Sequence, residues 1–273
     1  MKKYKLINQG RTAEIYDIGN GQILKLFLKS IPLPWIENEY NIANTIKDFN
    51  LPIPKFFGNM KYEDRIGLVY ENIKGPSMLA IIAKKPWKLF SYAKKMAKIH
   101  FMINKTKVQG IPYQKDRTIY FINRADGLSD EVKSIIIKEI QKLKEGYFLC
   151  HGDMHPDNIL FSLKGPVVID WMNATIGNPI GDVARTAVIL KYSSPPQHLS
   201  LFAKILINIF KSIFCNVYIK CYIKLAGVDF KEIYYWELPI AAARLYENGP
   251  PEEKKELIRF INNELKNRHL ISN

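Results

Sequence analysis

Short apolar runs separated by turn residues fill the first seventy positions of the chain. Their lengths and their β-branched and aromatic content predict strands at residues 4–7, 14–18, 22–28, 56–57 and 66–70. Turn residues at 8–11 and 19–21 join the first three runs, which favours antiparallel pairing. One helical repeat, at residues 36–49, lies between the pairs Pro32/Pro34 and Pro52/Pro54, which we expect to bound it.

From Gly75-Pro76 onward the apolar residues repeat at helical spacing. Helices are predicted at residues 89–104, 131–144 and 252–265, and Pro251 suits the start of the last one. A short hairpin is predicted from residues 159–161 and 167–169. The pattern indicates an α+β protein with two lobes: a small antiparallel-sheet lobe at residues 1–75 and a larger, mainly helical lobe at residues 76–273.

The most apolar stretch of the chain runs from Leu199 to Lys224. Lys204, Lys211 and Lys220 interrupt it, whereas a membrane span needs roughly 20 apolar residues in succession. We therefore predict a buried amphipathic helix. The first residues carry charge with no apolar run behind them, which argues against a secretory signal. The three cysteines have no metal-ligand spacing and are too few for a disulfide scaffold, so we expect a cytoplasmic protein.

The chain is strongly basic, with a net charge of +14. Such a charge suits a nucleic acid, an anionic membrane or an anionic substrate. The lysines are spread along the chain, without a run of five or six and without a stripe in which basic and aromatic residues interleave. We interpret the charge as a solvated lysine-rich surface and expect no nucleic-acid partner.

The strongest chemical signal is the block from His151 to Leu160, followed by an apolar run that ends at Asp170. A loop between short apolar strands presents Asp153 and, five residues later, Asn158. Phosphoryl transfer requires a carboxylate that orients or deprotonates the attacking hydroxyl. It also requires oxygen ligands that hold Mg²⁺ against the nucleotide phosphates. The spacing of Asp153 and Asn158 matches that of the protein-kinase catalytic loop.

This block resembles the aminoglycoside phosphotransferase and choline-kinase-like family, whose loop reads His-Gly-Asp-x-His-x-x-Asn before an Ile-Asp-Trp segment. The resemblance implies a protein-kinase-like fold with ATP and Mg²⁺ bound between the lobes. It implies transfer of the γ-phosphate to a hydroxyl of a small molecule. Asp153 would be the catalytic residue, and Asn158 and Asp170 would be the metal ligands.

The resemblance extends to nucleotide contacts in the first lobe. Lys25 lies in an apolar strand, where a lysine is costly unless paired, and Glu39 on the next helix is the expected partner, with Glu37 as the competing choice. The pair would position Lys25 on the α- and β-phosphates. Gly10 belongs to a loop that would cover the phosphates, although an ordinary hairpin turn explains it nearly as well. An adenine would meet backbone groups of Glu71 and Ile73; a plain edge strand is the alternative.

Two histidines flank the predicted catalytic residue. His151 and His155 have a spacing that binds zinc on a helix, but Gly152 and Pro156 disfavour a helix there. We interpret His151 as a structural anchor of the loop. Asp182 resembles the aspartate that supports the catalytic loop from below in this fold.

The phosphate acceptor stays open at the level of the sequence. The basic charge and the scarcity of clustered acids disfavour a polycationic aminoglycoside. Choline would require an aromatic cage, and an amino-sugar, a sugar or another small alcohol is equally compatible. A protein kinase is disfavoured because only residues 171–180 separate the metal-binding segment from the next predicted helix. A non-catalytic nucleotide-binding protein is the remaining alternative. The candidate acids and aromatic residues are Glu247, Glu252, Glu253, Glu256, Tyr192, Tyr218, Tyr222, Tyr234, Tyr235, Trp236 and Tyr246.

Overall fold

A computed structural model describes residues 4–10, 12–195, 197–247 and 249–271. Within these ranges the chain divides into two compact units. The first unit comprises the described residues of Met1–Lys84 together with Val108–Ile111 and Pro156–Ala174. The second comprises those of Lys85–Lys107, Pro112–His155 and Thr175–Asn273. The chain thus passes between the units several times, and the functional division into lobes at residues 1–75 and 76–273 stays a prediction.

The first unit contains the predicted antiparallel sheet. Its strand order is β1-β2-β3-β5-β4, and every neighbouring pair is antiparallel. Because side chains alternate along a strand, β3 buries Leu24 and Leu26 on one face and directs Lys25 and Phe27 to the other. This alternation decides where the lysine lies. The strands are β1 (Lys5–Gln9), β2 (Ala13–Gly19), β3 (Gln22–Phe27), β4 (Phe56–Tyr62) and β5 (Arg65–Glu71).

One helix, α1 (Leu33–Ile46), packs in this unit. It begins three residues before the predicted start, because Pro34 fits in its first turn, where the backbone N–H groups need no intrahelical acceptor. The expectation that Pro34 precedes the helix was therefore wrong. Ile36, Ile42 and Ile46 lie on its buried face, and Glu39 shares that face. A charged residue within an apolar stripe requires a partner on the sheet.

The predicted hairpin is present as β7 (Ile159–Ser162) and β8 (Gly165–Val168). A close backbone approach holds it in the first unit: a Cβ atom at Gly75 would lie 1.9 Å from the carbonyl oxygen of Phe161. Only glycine fits there. A helix, α2 (Met78–Lys84), follows Gly75 in the chain.

The second unit is mainly helical. Several of its helices begin at a residue whose side chain accepts a hydrogen bond from a backbone N–H of the first turn, namely Ser129, Asn178, Ser200 and Asp229. Strands β6 (Phe148–Cys150) and β9 (Thr175–Gly177) pair antiparallel beside the helices. The helices are α3 (Leu89–Ile103), α4 (Gln114–Arg124), α5 (Asp130–Lys142), α6 (Pro179–Tyr192), α7 (Leu201–Ala226), α8 (Phe230–Arg244) and α9 (Pro251–Asn267).

Helix α7 differs from its prediction. The helix is present, but its buried residues, Phe214, Cys215, Tyr218, Ile219 and Tyr222, all lie in its second half. The first half exposes its apolar side chains, so the prediction of a buried helix was wrong there. Among the described residues, α7 is one helix that is long and apolar enough to cross a membrane by length and composition alone.

Candidate active site

A buried lysine joins two carboxylates in the first unit. The Nζ atom of Lys25 donates hydrogen bonds to both carboxylate oxygens of Glu39, at 2.8 and 2.9 Å, and to Oδ1 of Asp170, at 2.9 Å. The side chain of Lys25 is 12% exposed and that of Glu39 is 2% exposed. The hydroxyl of Tyr70 on β5 also donates to Glu39, at 3.2 Å. Glu39, and not Glu37, is therefore the partner of Lys25.

This cluster keeps Lys25 charged. Burial alone would lower the pKa of Lys25, but the charges of Asp170 and Glu39 outweigh it and raise the pKa above its ordinary value. The cluster requires three segments to converge: β3, α1 and the chain after β8. An ammonium group held in this way is a fixed positive charge, which suits contact with phosphate oxygens.

Asp170 lies at the end of the β7–β8 hairpin in an unusual backbone conformation. Its φ is 64° and its ψ is 66°, in the left-handed region that few residues besides glycine, asparagine and aspartate adopt. The side chain is 41% exposed. The backbone N–H of Ile169 donates to the carbonyl of Asn158 at 2.9 Å, which brings Asn158 to the same end of the hairpin.

These oxygen donors fit a magnesium site of the phosphate-binding kind. Mg²⁺ takes one or two protein carboxylates or amides and completes its shell with phosphate oxygens and water. Asp170 and Asn158 supply that number of donors. No cluster of three or more histidine, cysteine, aspartate or glutamate side chains that could hold a metal occurs in the part of the chain that the structure describes. Asp170 and Asn158 leave places in the metal's shell for phosphate oxygens and water, which fits a metal that binds together with a nucleotide.

The other predicted nucleotide contacts are backbone positions. Gly10 is exposed between β1 and β2, and its N–H donates to the carbonyl of Ala13 at 2.8 Å. A Cβ atom there would meet nothing nearer than 3.6 Å, so the fold itself does not require glycine. The N–H of Glu71 donates to the carbonyl of Lys55, so this predicted donor is already engaged, and only the carbonyl of Glu71 and the groups of Ile73 stay as candidates.

Asp153 belongs to the second unit, in the loop after β6. Its backbone N–H donates to Nδ1 of His151 at 3.1 Å, and its Oδ2 lies 3.7 Å from Nε2 of His155. Burial would raise the pKa of Asp153, but the hydrogen bond and charge of His155 and the charge of Arg185 outweigh it and hold the pKa well below its usual range. Asp153 is therefore ionised at neutral pH.

Asp182, near the start of α6, holds the backbone of this loop. Its Oδ2 accepts from the N–H of His151 at 2.7 Å, and its Oδ1 accepts from the N–H of Gly152 at 2.8 Å. Burial would raise the pKa of this carboxyl, but His100, His151 and Asn104 outweigh it and lower the pKa. An ionised carboxylate that accepts this many hydrogen bonds fixes the loop strongly.

Sequence reasoning missed the polar residues that surround Asp182. Nε2 of His100 lies 2.7 Å from Oδ2 of Asp182, and the side-chain amide of Asn104 donates to the same oxygen at 3.1 Å. The hydroxyls of Tyr218 and Tyr222 pair with His100 and Asn104 at 2.6 and 2.7 Å. Both tyrosines are buried, so they are not available for a choline cage. The signal in the sequence was a polar residue within the apolar face of α3, at His100.

Arg185, one turn after Asp182, was also missed. Its Nε donates to the carbonyl of Gly152, and its Nη2 lies 2.6 Å from Glu247, in the chain between α8 and α9. Glu247 pairs in turn with Arg244 at 2.9 Å, and Arg244 pairs with Glu253 on α9 at 2.6 Å. A row of alternating charges thus connects the loop of Asp153 with the start of α9.

The structure brings the predicted residues together in two groups. Lys25, Glu39, Asn158 and Asp170 belong to the first unit, together with Gly10, Glu71 and Ile73. Asp153, His151 and Asp182 belong to the second unit. Hydrogen bonds join Lys25 to Glu39 and Asp170 in the first group and Asp182 to His151 in the second, and the catalytic and ligand-binding roles stay predictions.

Three solved structures share the fold of the chain at low sequence identity. The first is aminoglycoside phosphotransferase APH(2'')-Ib, solved with ADP. The alignment covers 95% of this chain and 92% of the phosphotransferase, at 15% sequence identity and a TM-score of 0.56. The second is amicoumacin kinase hAmiN, solved with AMP-PNP and Ca²⁺. The alignment covers 95% of this chain and 87% of the kinase, at 15% sequence identity and a TM-score of 0.61. The third is choline kinase from Cryptosporidium parvum Iowa II. The alignment covers 98% of this chain and 91% of the choline kinase, at 14% sequence identity and a TM-score of 0.57. The predicted protein-kinase-like fold is confirmed.

A family model, described as the phosphotransferase enzyme family, matches residues 125–203. The predicted resemblance is confirmed. The matched stretch contains Asp153, Asn158, Asp170 and Asp182, to which the sequence resemblance assigned roles. No curated protein sequence matches the chain.

Proposed function

We propose that the protein transfers the γ-phosphoryl group of ATP, with Mg²⁺, to a hydroxyl group of a small molecule. The observation that carries the proposal is the cluster of Lys25, Glu39 and Asp170, in a chain that also presents Asp153 in a loop matched by the family model. The chain supplies each residue type that phosphoryl transfer requires: a carboxylate for the hydroxyl, oxygen ligands for the metal and a lysine for the phosphates. A non-catalytic protein has no use for the complete set.

On the nucleotide side, Lys25 would bind the α- and β-phosphates, and Glu39 would hold the ammonium group in place. Asn158 and Asp170 would hold Mg²⁺, which, when bound, neutralises the phosphate charge. The carbonyl of Glu71 and the N–H of Ile73 would receive the adenine. Gly10 lies exposed in the turn between β1 and β2. It would cover the phosphates, and its lack of a side chain would let the backbone approach them.

On the acceptor side, Asp153 would accept the hydrogen bond of the attacking hydroxyl. Its lowered pKa makes it an orienting group and a weak base. This suits phosphoryl transfer, in which positioning and charge neutralisation account for most of the catalysis and proton removal comes late. His151 and Asp182 would keep the loop in its working conformation.

We propose further that the acceptor is not a polycation. Of the four acids that were candidates for binding one, three form ion pairs: Glu247 with Arg185 and Arg244, Glu253 with Arg244, and Glu256 with Arg259. The fourth, Glu252, is exposed and accepts a hydrogen bond from Gln197 at 3.5 Å. Paired carboxylates attract an amine weakly. The positive charge near Asp153 within its unit comes from His155, Arg185 and His151. A neutral sugar or another small alcohol therefore fits better than an aminoglycoside.

The test is an ADP-release assay with Mg-ATP and a panel of acceptors: aminoglycosides, choline, ethanolamine, neutral sugars, amino-sugars and homoserine. We expect turnover with a neutral hydroxyl compound, and its loss in Asp153→Asn. Turnover with an aminoglycoside at similar efficiency would contradict the proposed acceptor class but keep the reaction. Turnover by Asp153→Asn equal to that of the parent would contradict the reaction mechanism itself.

A further inference from the structure

The first half of α7 forms an exposed apolar surface, which we call the α7 apolar end. Two of its side chains, Leu201 and Phe202, are 75% and 76% exposed. Single exposed apolar residues are ordinary, but a contiguous group on successive helical turns marks an interaction surface. The α7 apolar end consists of Leu201, Phe202, Ile205, Leu206, Ile209 and Phe210.

Helix α3, which packs against the second half of α7, adds a concentration of positive charge. The ring of His100 stacks on Tyr218, and Sγ of Cys221 lies 3.9 Å from the carbonyl oxygen of Lys94. The exposed faces of the two helices therefore border each other in the second unit. Neither helix contains an aspartate or a glutamate. The exposed lysines of the pair, which we call the α3–α7 lysines, are Lys94, Lys95, Lys98, Lys220 and Lys224.

The segment that leads into α3 has the same character. Trp87 is 73% exposed and Phe90 is 56% exposed, and the exposed Lys85 and Lys88 lie beside Trp87 in the chain. Tryptophan with basic residues is the composition found where proteins meet the headgroup region of a bilayer. The sequence-based interpretation of the charge as an evenly dispersed surface is therefore incomplete for this part of the protein.

We propose that the α7 apolar end and the α3–α7 lysines bind an anionic membrane surface. The apolar side chains would enter the boundary between headgroups and acyl chains, and the lysines would bind acidic headgroups. The protein would lie on the membrane and would not span it, because the second half of α7 is buried against α3 and Tyr222 donates to Asn104 at 2.7 Å. The proposal does not depend on the proposed function.

Charge and chemistry favour this partner over two others. A second copy of the same surface would place the α3–α7 lysines of two chains together, which like-charge repulsion disfavours. A nucleic acid would satisfy the lysines but would leave the aliphatic side chains of Ile205, Leu206 and Ile209 in water, because nucleic acids offer stacking bases and phosphates. Of these three partners, an anionic lipid surface is the one that accommodates both features.

The test is co-sedimentation of the full chain with vesicles of phosphatidylcholine alone and of phosphatidylcholine with phosphatidylglycerol. We expect binding to the anionic vesicles, weakened by salt, and little binding to the neutral ones. The variant Phe202→Ser/Ile205→Ser/Ile209→Ser, whose changes are all exposed, should bind at least ~10-fold more weakly with an unchanged melting temperature. The variant Lys94→Glu/Lys98→Glu/Lys220→Glu should weaken binding to a similar extent.

The matched control is Lys138→Glu/Lys231→Glu/Lys255→Glu, which changes the net charge equally at exposed positions on α5, α8 and α9. It should bind anionic vesicles nearly as the parent does. Equal losses in the two lysine variants would show that net charge alone drives binding and would overturn the site. Absence of binding by the parent would overturn it too. The proposal would also be overturned if the parent formed a dimer in solution and the serine variant did not, because the surface would then bind a second copy of the chain.

Discussion

At the scale of residues, the decisive feature is a buried lysine that contacts two carboxylates. Lys25 lies 2.8 Å from Glu39 and 2.9 Å from Asp170, from a strand whose alternation turns it away from Leu24 and Leu26. Breaking one partner of a buried ion pair leaves an uncompensated charge, whereas replacing both by apolar residues is much less costly. This asymmetry gives a direct test of the cluster.

We predict that Lys25→Met will lower the free energy of unfolding by about 3 kcal/mol, because it leaves Glu39 buried without its cation. The double variant Lys25→Met/Glu39→Leu should recover a large part of that loss. Denaturant unfolding measures both. The control is Lys61→Met, which removes an exposed lysine from β4 in the same unit and should cost little. A double variant that is less stable than Lys25→Met would contradict the description of the pair.

A second residue-scale prediction concerns acid. The folded-state pKa values of Asp153 and Asp182 are lowered, so their contribution to stability is complete above the ordinary aspartate pKa of about 3.9 and is lost as the pH falls below it. Stability should therefore fall steeply below about pH 4. Asp182→Asn should be less stable than the parent at pH 7 by about 3 kcal/mol and should depend less on pH in the acid range.

Unfolding measured by denaturant at pH 7 and at successively lower pH tests this prediction. Asp64→Asn serves as the control, since Asp64 is 94% exposed and asparagine tolerates its positive φ of 57°. The free energy of unfolding of the control should equal that of the parent at every pH. If Asp182→Asn also showed the full acid dependence of the parent, the lowered pKa of Asp182 would not be the source of the effect.

At the scale of elements, Arg185 connects α6 to the loop of Asp153 and to the chain before α9. It donates to the carbonyl of Gly152, next to Asp153, and pairs with Glu247 at 2.6 Å. The planar guanidinium can hold both partners at once in a fixed geometry, which an ammonium cannot. We therefore expect Arg185 to position the loop without contacting the substrate.

We predict that Arg185→Met will reduce kcat by at least ~10-fold while the KM for ATP changes little, because the residues that we assign to the nucleotide belong to other segments. Arg185→Lys should recover only part of the loss. Steady-state kinetics with the acceptor found in the ADP-release assay measures both. The matched control is Arg259→Met, which breaks an exposed ion pair with Glu256 on α9. It should leave both kcat and the KM for ATP unchanged. A rise in the KM for ATP as large as the fall in kcat would contradict a positioning role.

Secondary-structure elements could be predicted from the sequence where the local pattern of apolar, polar and turn residues reflects the structure that forms. The helices α3, α5 and α9 were found because one face of each is buried and the other is exposed. The strands were found from β-rich runs between turn residues, since β1, for example, is exposed along its whole length. Helix α4 was missed because its apolar residues are few, and β9 because it is only three residues long. The exposure of the first half of α7 depends on which elements pack nearby, and local periodicity does not contain that information.

The candidate site was predictable where residues form a continuous motif or a local pattern. Asp153, Asn158 and Asp170 lie within 18 positions of each other. The pairing of Lys25 with Glu39 followed from the family resemblance together with the cost of burying a lysine. His100 and Glu247 were not predictable in this way. His100 lies 82 positions from Asp182, and only the packing of α3 beside α6 brings them together. A long-range contact between two polar residues leaves little trace in a single sequence.

At the scale of the whole molecule, the predicted chemistry divides between the two units. The first contains the cluster of Lys25, Glu39 and Asp170, which we assign to the nucleotide and its metal. The second contains Asp153 and the residues that hold its loop, which we assign to the acceptor hydroxyl. Binding of the nucleotide and transfer of its phosphate should therefore be separable by mutation.

The most direct measurement is calorimetric binding of Mg-ATP to the parent, Asp153→Asn and Asp170→Asn, alongside turnover of each with the same acceptor. Asp153→Asn should bind Mg-ATP within a factor of ~3 of the parent and lose at least ~100-fold in kcat, because Asp153 acts on the acceptor. Asp170→Asn should lose the Mg²⁺-dependent part of nucleotide binding and turnover together. If Asp153→Asn turned over like the parent, or Asp170→Asn bound Mg-ATP as the parent does, the assignment of the two groups would be wrong.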